Sequence, residues 1–329
     1  MLLRIVQTGL FLVNALLFCP PSFADDQKWP DHAIHIIAPF PAGAGADTVA
    51  RLIGQKLSEK LDQTVIINNS PGASGEIGTN EIAKAAPDGY TLGIATTTTL
   101  VTAPLLSAHT PYNPLKDFAP VAMVGYSYFV LVVNPSVPAR NVKEYIALAK
   151  SKPGRITYSS EGDASLAHLA GALLGNIAGV ELNQIPYKSS TQAVVDLLAG
   201  RIDSQFGLLT TTHQYIKDGR LNALGITTLK RIPEYPDIPT ISESGLPGYE
   251  ASLWLAVIAP AKTPPAIVNR LNTVINQVLA QPDVHTTLFN QAIITDPQSA
   301  ADMGKRIEAD TDKWKDLAAK AGLKKESQN

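Results

Sequence analysis

Hydrophobic and polar positions follow two different periods along this chain, and the switches between them mark its elements. Residues 33–38, with Ile34, Ile36 and Ile37, form a short apolar run that predicts a buried strand, stopped by Pro39-Phe40-Pro41. Asp47 stands where a helix cap belongs, and Val49, Leu52, Ile53 and Leu57 follow at helical spacing. A second strand is predicted over 64–67. The turn-rich stretch 71–78 leads into a helix ending near Lys84, Pro87-Asp88-Gly89 makes a turn, and a third strand covers 90–95. Strands and helices in this alternation predict a mainly parallel sheet with helices on its faces.

After Thr96 the pattern changes. Residues 102–120 are rich in proline and polar groups and read as a connection; 129–133 is a strongly apolar strand. Asn141 is placed to cap a helix through Lys150, and 156–159 is a further strand. Residues 162–178 read as a loop then a helix, with Leu166, Leu169, Ala170, Leu173, Leu174 and Ile177 on one face. A helix through 194–198 and strands near 202–206 and 223–227 complete a second α/β unit. Pro233, Pro236, Pro239, Gly245 and Pro247 mark 233–250 as a surface connection. A last strand over 253–258 and two helices, 264–280 and 298–321, close the chain.

The amino terminus has its own pattern. Arg4, the apolar stretch Ile5 to Phe18 and then Ser22-Phe23-Ala24 predict a cleaved secretory signal over residues 1–24, hence a periplasmic mature protein. The stretch is shorter than the ~20 residues that span a bilayer. Cys19, the only cysteine, lies within this leader, and the bulky Phe18 before it argues against lipid attachment. Without it the mature chain forms neither disulfides nor thiolate metal sites. The length, 329 residues, suits about two domains. A net charge of −2 with no basic block argues against nucleic acid as a partner. The charged fraction, 17%, is below the ~25% of typical soluble chains, which favours well-covered sheets.

Two segments have the form of a strand, a glycine-bearing loop and a helix, the place where open α/β sheets hold ligands. Free amides and the helix dipole there attract anions. The first runs Pro41-Ala42-Gly43-Ala44-Gly45-Ala46-Asp47; the second runs from Ser160 to Ser165 and contains Gly162. The strand ends at Thr97 and Thr98, and Lys188 with its neighbours, can add donors. Each has a plainer reading: the glycines can simply turn the chain, Asp47 can simply cap a helix, and a lysine such as Lys188 is ordinarily solvated. His168, beside an apolar helix face, reads as structural. A dinucleotide loop would need glycine at position 48, which is Thr48, and Asp47 would repel phosphate. Ser160, Asp163 and His168 suggest a hydrolase triad, but no nucleophile-elbow motif surrounds Ser160. His32 and His35 fall on opposite sides of a strand, so no paired metal motif forms, and no cofactor or metal is expected.

These loops carry a resemblance. PFPAGAGADTVAR (39–51), NSPGASGEIGT (69–79), AKAAPDGYTL (83–92), HLAG (168–171), PYK (186–188), DLLAG (196–200), YPDIPTISESGLPGY (235–249) and APAKTP (259–264) resemble the Bug family, periplasmic solute receptors of tripartite tricarboxylate transporters. The match covers essentially the whole mature chain. It implies two α/β lobes of the type II periplasmic-binding-protein kind, closing on a ligand like a Venus flytrap. The lobes are expected at 25–118 plus 228–329 and at 119–227. It implies a receptor, not an enzyme, holding a small di-, tri- or aromatic carboxylate. The implied contacts are Pro41, Ala42, Gly43, Ala44, Gly45, Asp47, Thr97, Thr98, Ser160, Gly162 and Ser165, to which the residue-level reading adds Lys188 as a candidate partner of the carboxylate. The implied partner of this monomer is a membrane permease or, alternatively, a periplasmic sensor domain. The chain departs from the family pattern at Ala44, Ala46, Ala164, Ser70 and Ser189, and at Gly207, where many members carry an acid. Lack of that acid favours a ligand without an amine.

Overall fold

In a computed structural model the described residues are 29–107, 109–160, 165–187 and 189–320. The leader with Cys19, and the candidates Gly162 and Lys188, lie outside them.

The strands are β1 (Ile34–Ala38), β2 (Val65–Asn69), β3 (Thr91–Thr96), β4 (Phe118–Val133), β5 (Thr157–Ser160), β6 (Asn183–Pro186), β7 (Ser204–Leu208), β8 (Asn222–Ile226), β9 (Ser252–Pro260) and β10 (Ile293–Thr295). The helices are α1 (Gly45–Leu61), α2 (Glu76–Lys84), α3 (Ala103–Leu106), α4 (Val142–Ser151), α5 (Leu166–Ala178), α6 (Ser190–Leu198), α7 (Leu209–Lys217), α8 (Pro265–Leu279), α9 (Pro282–Phe289) and α10 (Ala300–Lys320). A wide helical turn over Thr98–Thr102 precedes α3.

The strands run in the order β2-β1-β3-β9-β4-β7-β5-β6, with β8 and β10 also paired to β4. The expected parallel pairing holds for β2-β1-β3 and for β6-β5-β7. Strands β4 and β9 add antiparallel ladders between these two sets. The protein is thus a two-lobed α/β fold, each lobe having its own parallel set.

The two lobes share β4. Its first part, through Tyr128, pairs with β9; from Phe129 it pairs with β7. The sequence pattern marks only 129–133 as strand, because Pro120, Gly125 and Ser127 interrupt the apolar run. Proline lacks a ladder donor, and the register shifts between Pro120 and Ala122 absorb that loss. Gly125 is required: a Cβ there would stand 2.2 Å from the Ile294 carbonyl oxygen, so only glycine lets β10 lie on β4. Alternation along β4 serves different cores. Val121 and Val124 enter one cluster with Ile34, Ile36 and Ile53, while Val130 and Val132 enter another with Leu197 and Ile226. Leu131 and Val133 face a third with Tyr145, Tyr158 and Phe206.

Three chain segments meet at Thr227, which is fully buried. Its amide and hydroxyl donate to the Phe129 carbonyl at 2.9 and 3.1 Å, and its own carbonyl accepts from Ala251 at 3.0 Å. The segment between β8 and β9, which the sequence reading places in the first lobe, makes contacts on both sides: Tyr235 stacks on Phe289 of α9 and Glu250 pairs with Arg306 of α10. Thr240 bridges Ile226, Ile241 and Leu246 enter the core of Tyr145 and Leu174, and the Tyr249 hydroxyl donates to the Ala170 carbonyl.

Candidate functional site

Strands β1 and β3 are parallel neighbours, so their carboxyl ends open on the same edge of the sheet. There the loop 39–44 turns into α1, and Thr96 leads into the helical turn that begins at Thr98. A cavity of about 590 Å³ lies at this edge. From the first lobe it is lined by Phe40, Gly43 to Ala46, Thr48, Thr96, Thr98, Leu253, Trp254, Leu255, Gln291 and Ile293. Ser127 adds a hydroxyl from the shared strand, and Leu208 joins from the second lobe.

The start of α1 has no side-chain cap. Its N-cap is Ala44, which offers no side-chain acceptor to the first-turn amides. Helices α4, α5 and α6, by contrast, are capped by Asn141, Ser165 and Ser189, which accept from Glu144, His168 and Gln192 amides. The first-turn amides of a helix need an acceptor from side chain, water or ligand. Ala44 and Gly45 both line the cavity, and a Cβ placed on Gly43 or Gly45 would meet nothing within 4 Å. The open space beside these glycines therefore belongs to the cavity. Gly43 also has φ of +84°, which only glycine adopts without strain. Helices α2, α3, α7, α8 and α9 likewise open without a side-chain cap, α7 at Leu208 in the same cavity wall.

Asp47 is not the cap. It lies three residues beyond Ala44, buried, and its carboxylate turns back into the loop. It accepts from the Gly43 amide (2.8 Å), Asn69 Nδ2 (2.8 Å) and Arg51 Nε (3.0 Å). Asn69 in turn donates to the Phe40 carbonyl at 3.1 Å. The carboxylate thus ties β2, α1 and the loop together and consumes one loop amide. Burial raises the Asp47 carboxyl, but the bonds from Arg51, Gly43 and Asn69 outweigh it and hold it at about 2. Its stabilisation is complete above the ordinary value of 3.8 and is lost as pH falls through about 2. Acid titration of unfolding stability should accordingly show Asp47→Asn and wild type converging between pH 4 and 2, the wild type losing more.

The other candidates divide clearly. Thr98 lines the cavity with Gly43, Ala44 and Gly45, whereas Pro41 and Ala42 share the loop but are not among its lining residues. Thr97 is buried and its hydroxyl accepts from the Trp254 amide at 2.9 Å, fixing β9 to the end of β3. Ser160 is buried and accepts from Gln184 Nε2 at 2.7 Å, and the Ser165 hydroxyl caps α5. Neither serine lines this cavity. The lining residues outside the sequence-based candidates are Phe40, Ala46, Thr48, Thr96, Ser127, Leu208, Leu253, Trp254, Leu255, Gln291 and Ile293. Ser127 had a signal, a polar break in an apolar run, and Leu208 had its place at a strand's carboxyl end. Gln291 had none.

Behind the wall, the Trp254 indole donates to Asp310 at 2.9 Å. Arg306 Nε bonds Asp310 at 3.0 Å and its Nη2 bonds Glu250 at 2.7 Å. Lys313 pairs with Asp310 at 3.0 Å, and Arg306 lies 5.1 Å over the Tyr126 ring. This network clamps α10 to the start of β9.

Two lobes sharing a strand, with a cavity at their strand ends and an uncapped helix start in its wall, define a solute-binding protein. Residues 49–323 match the family described as Tripartite tricarboxylate transporter family receptor, and the chain belongs to that family. It is 38% identical to BugT of Bordetella pertussis over 272 residues, 82% of either chain. Among solved structures it is similar to Rpa4515 of R. palustris with adipate: 34% identity, 89% of this chain and 98% of that one, TM-score 0.72. It is also similar to MatC of Rhodopseudomonas palustris with bound malate: 28% identity, 88% and 99% coverage, TM-score 0.68. Receptors of this family are periplasmic binding proteins, and no helix among the described residues is long and apolar enough to cross a membrane.

Proposed function

We propose that this chain captures a small carboxylate in the periplasm, seating it on the uncapped start of α1, and presents it to the membrane permease of a tripartite transporter. The observation that carries this is Ala44 at the N-cap of α1, in the wall of a cavity beside open glycines. Amides and dipole there favour a negative guest. Similarity to proteins carrying adipate and malate supports the same class. We place the passage between lobes at Tyr128/Phe129 and within Thr227 to Ser252, so that 129–226 moves as one body. Closure brings Leu208 and the start of α7 over the guest, and the guest stabilises the closed state by its preference for it. The site binds and does not catalyse; the Ser160 hydroxyl of the hydrolase reading is engaged with Gln184. Pro41, Ala42, Thr97 and Asp47 act by shaping the loop, while Gly43, Ala44, Gly45 and Thr98 face the guest. Ser160 and Ser165 belong to the closing face.

Gly45→Leu tests this. Gly45 lines the cavity and a Cβ there meets nothing within 4 Å, so a larger side chain crowds the seat. Titration calorimetry with adipate and malate should show at least tenfold weaker binding for whichever acid the wild type takes, with an unchanged melting temperature. Equal affinity would remove the α1 start from the site.

A further inference from the structure

The floor of the cavity is one face of the sheet. On β9, Leu253 and Leu255 are two residues apart and point the same way, while Trp254 between them turns its indole to Asp310 on α10. Leu253 stands opposite Ser127 of β4, and Ser127 opposite Ile293 of β10, so these three form a row across neighbouring strands. Leu253, Leu255, Ser127 and Ile293 all line the cavity. Three of them are aliphatic and one carries a hydroxyl. Leu255 and Ile293 are buried. Leu253 is only half-buried, and so are two further lining residues, Phe40 of the loop after β1 and Leu208 of β7.

Half-buried apolar side chains in a concave wall leave water against hydrocarbon, and a guest with an apolar body removes that water. The three come from both lobes, Phe40 and Leu253 from the first and Leu208 from the second. The floor also lies away from the start of α1. Strand order places β9 two strands from β1, whose loop leads into α1, a separation of about 10 Å. A compact acid seated on α1 leaves that floor bare, whereas an elongated one covers it. Two of the wall's hydroxyls already bond within the protein: Thr48 donates to the Ala44 carbonyl at 3.2 Å, and Thr96 accepts from the Thr99 amide at 3.2 Å. The wall therefore constrains the body of the guest, and not the number of its carboxylates.

We infer that the guest is a carboxylate with an elongated apolar body, and that Leu253 and Leu208 set this specificity by meeting that body from opposite lobes. This rests on the α1 start being the carboxylate seat. Calorimetry on the purified processed protein compares two pairs of equal charge, adipate with succinate and benzoate with acetate. Each buried methylene tightens binding roughly fourfold, so in at least one pair the larger acid should bind about tenfold tighter or more. A preference in the first pair assigns an alkyl body, and in the second a ring. Leu253→Thr keeps a strand-forming residue but removes hydrocarbon, and should shrink the preference to about threefold while the smaller acid stays within about twofold of wild type. Leu208→Ala should act in the same sense and serves if the threonine variant misfolds. A substitution that only loosened the fold would weaken both members of a pair alike, and Gly45→Leu, which crowds the seat, should weaken all the acids that bind. No preference for the larger acid in either pair, or a preference that survives both leucine substitutions, overturns the inference while leaving a carboxylate receptor. Binding of none of the four acids overturns the seat as well.

Discussion

Arg306→Met should lower the unfolding free energy by about 3 kcal/mol, measured by urea denaturation, because it strips one cation from a largely buried charge cluster. Arg306 is the residue that touches both Asp310 and Glu250 through direct hydrogen bonds. Burial opposes its charge, but Asp310 and Glu250 more than restore it, so the guanidinium is held in its charged form. Without it Lys313 alone faces both carboxylates, at 3.0 Å from Asp310 and 3.8 Å from Glu250. Asp310 also holds the Trp254 indole, so the cavity wall should loosen as well. Arg306→Lys keeps the charge but lacks the planar fork that meets two carboxylates at once, and should recover only part of the loss. Stability of the methionine variant within 0.5 kcal/mol of wild type, on the order of an ordinary surface substitution, would show that the cluster is electrostatically neutral.

Asp47→Ala should cost about 2 kcal/mol and weaken ligand binding at least tenfold. The estimate follows from buried donors left without an acceptor, tempered by the exposure of Arg51. Gly43 and Asn69 lose their partner, so the loop is no longer drawn against α1 and its amides no longer point together. Asp47→Asn keeps one acceptor oxygen and should retain about half of the stability. Unchanged affinity in the alanine variant, measured by calorimetry, would mean that the loop holds its shape without this tie.

Much of the architecture is legible in the sequence because strands and helices advertise their own periods. Helix α8 falls at 265–279 where apolar spacing predicts 264–280, and Asn141 caps α4 as its residue type suggests. The first loop is legible too, since Gly43 and Gly45 follow an apolar strand and precede a helix. Strand β4 is not, because its proline and glycine are breakers by local rules and are tolerated only through a bulge and the close passage of β10. Helix α9 and strand β10 carry little periodic signal, being short, and Gln291 between them resembles any surface residue.

By itself the sequence determined the alternation of elements and the turn that frees the start of α1, because these depend on residues near one another in the chain. The tertiary structure decided that Asp47 braces the loop rather than capping the helix, since Asn69 arrives from another strand. It also decided that Gln291, Leu253 and Leu208 share a cavity with Gly45. Contacts between residues so distant in sequence are set by how the strands pair, and no local pattern records that pairing.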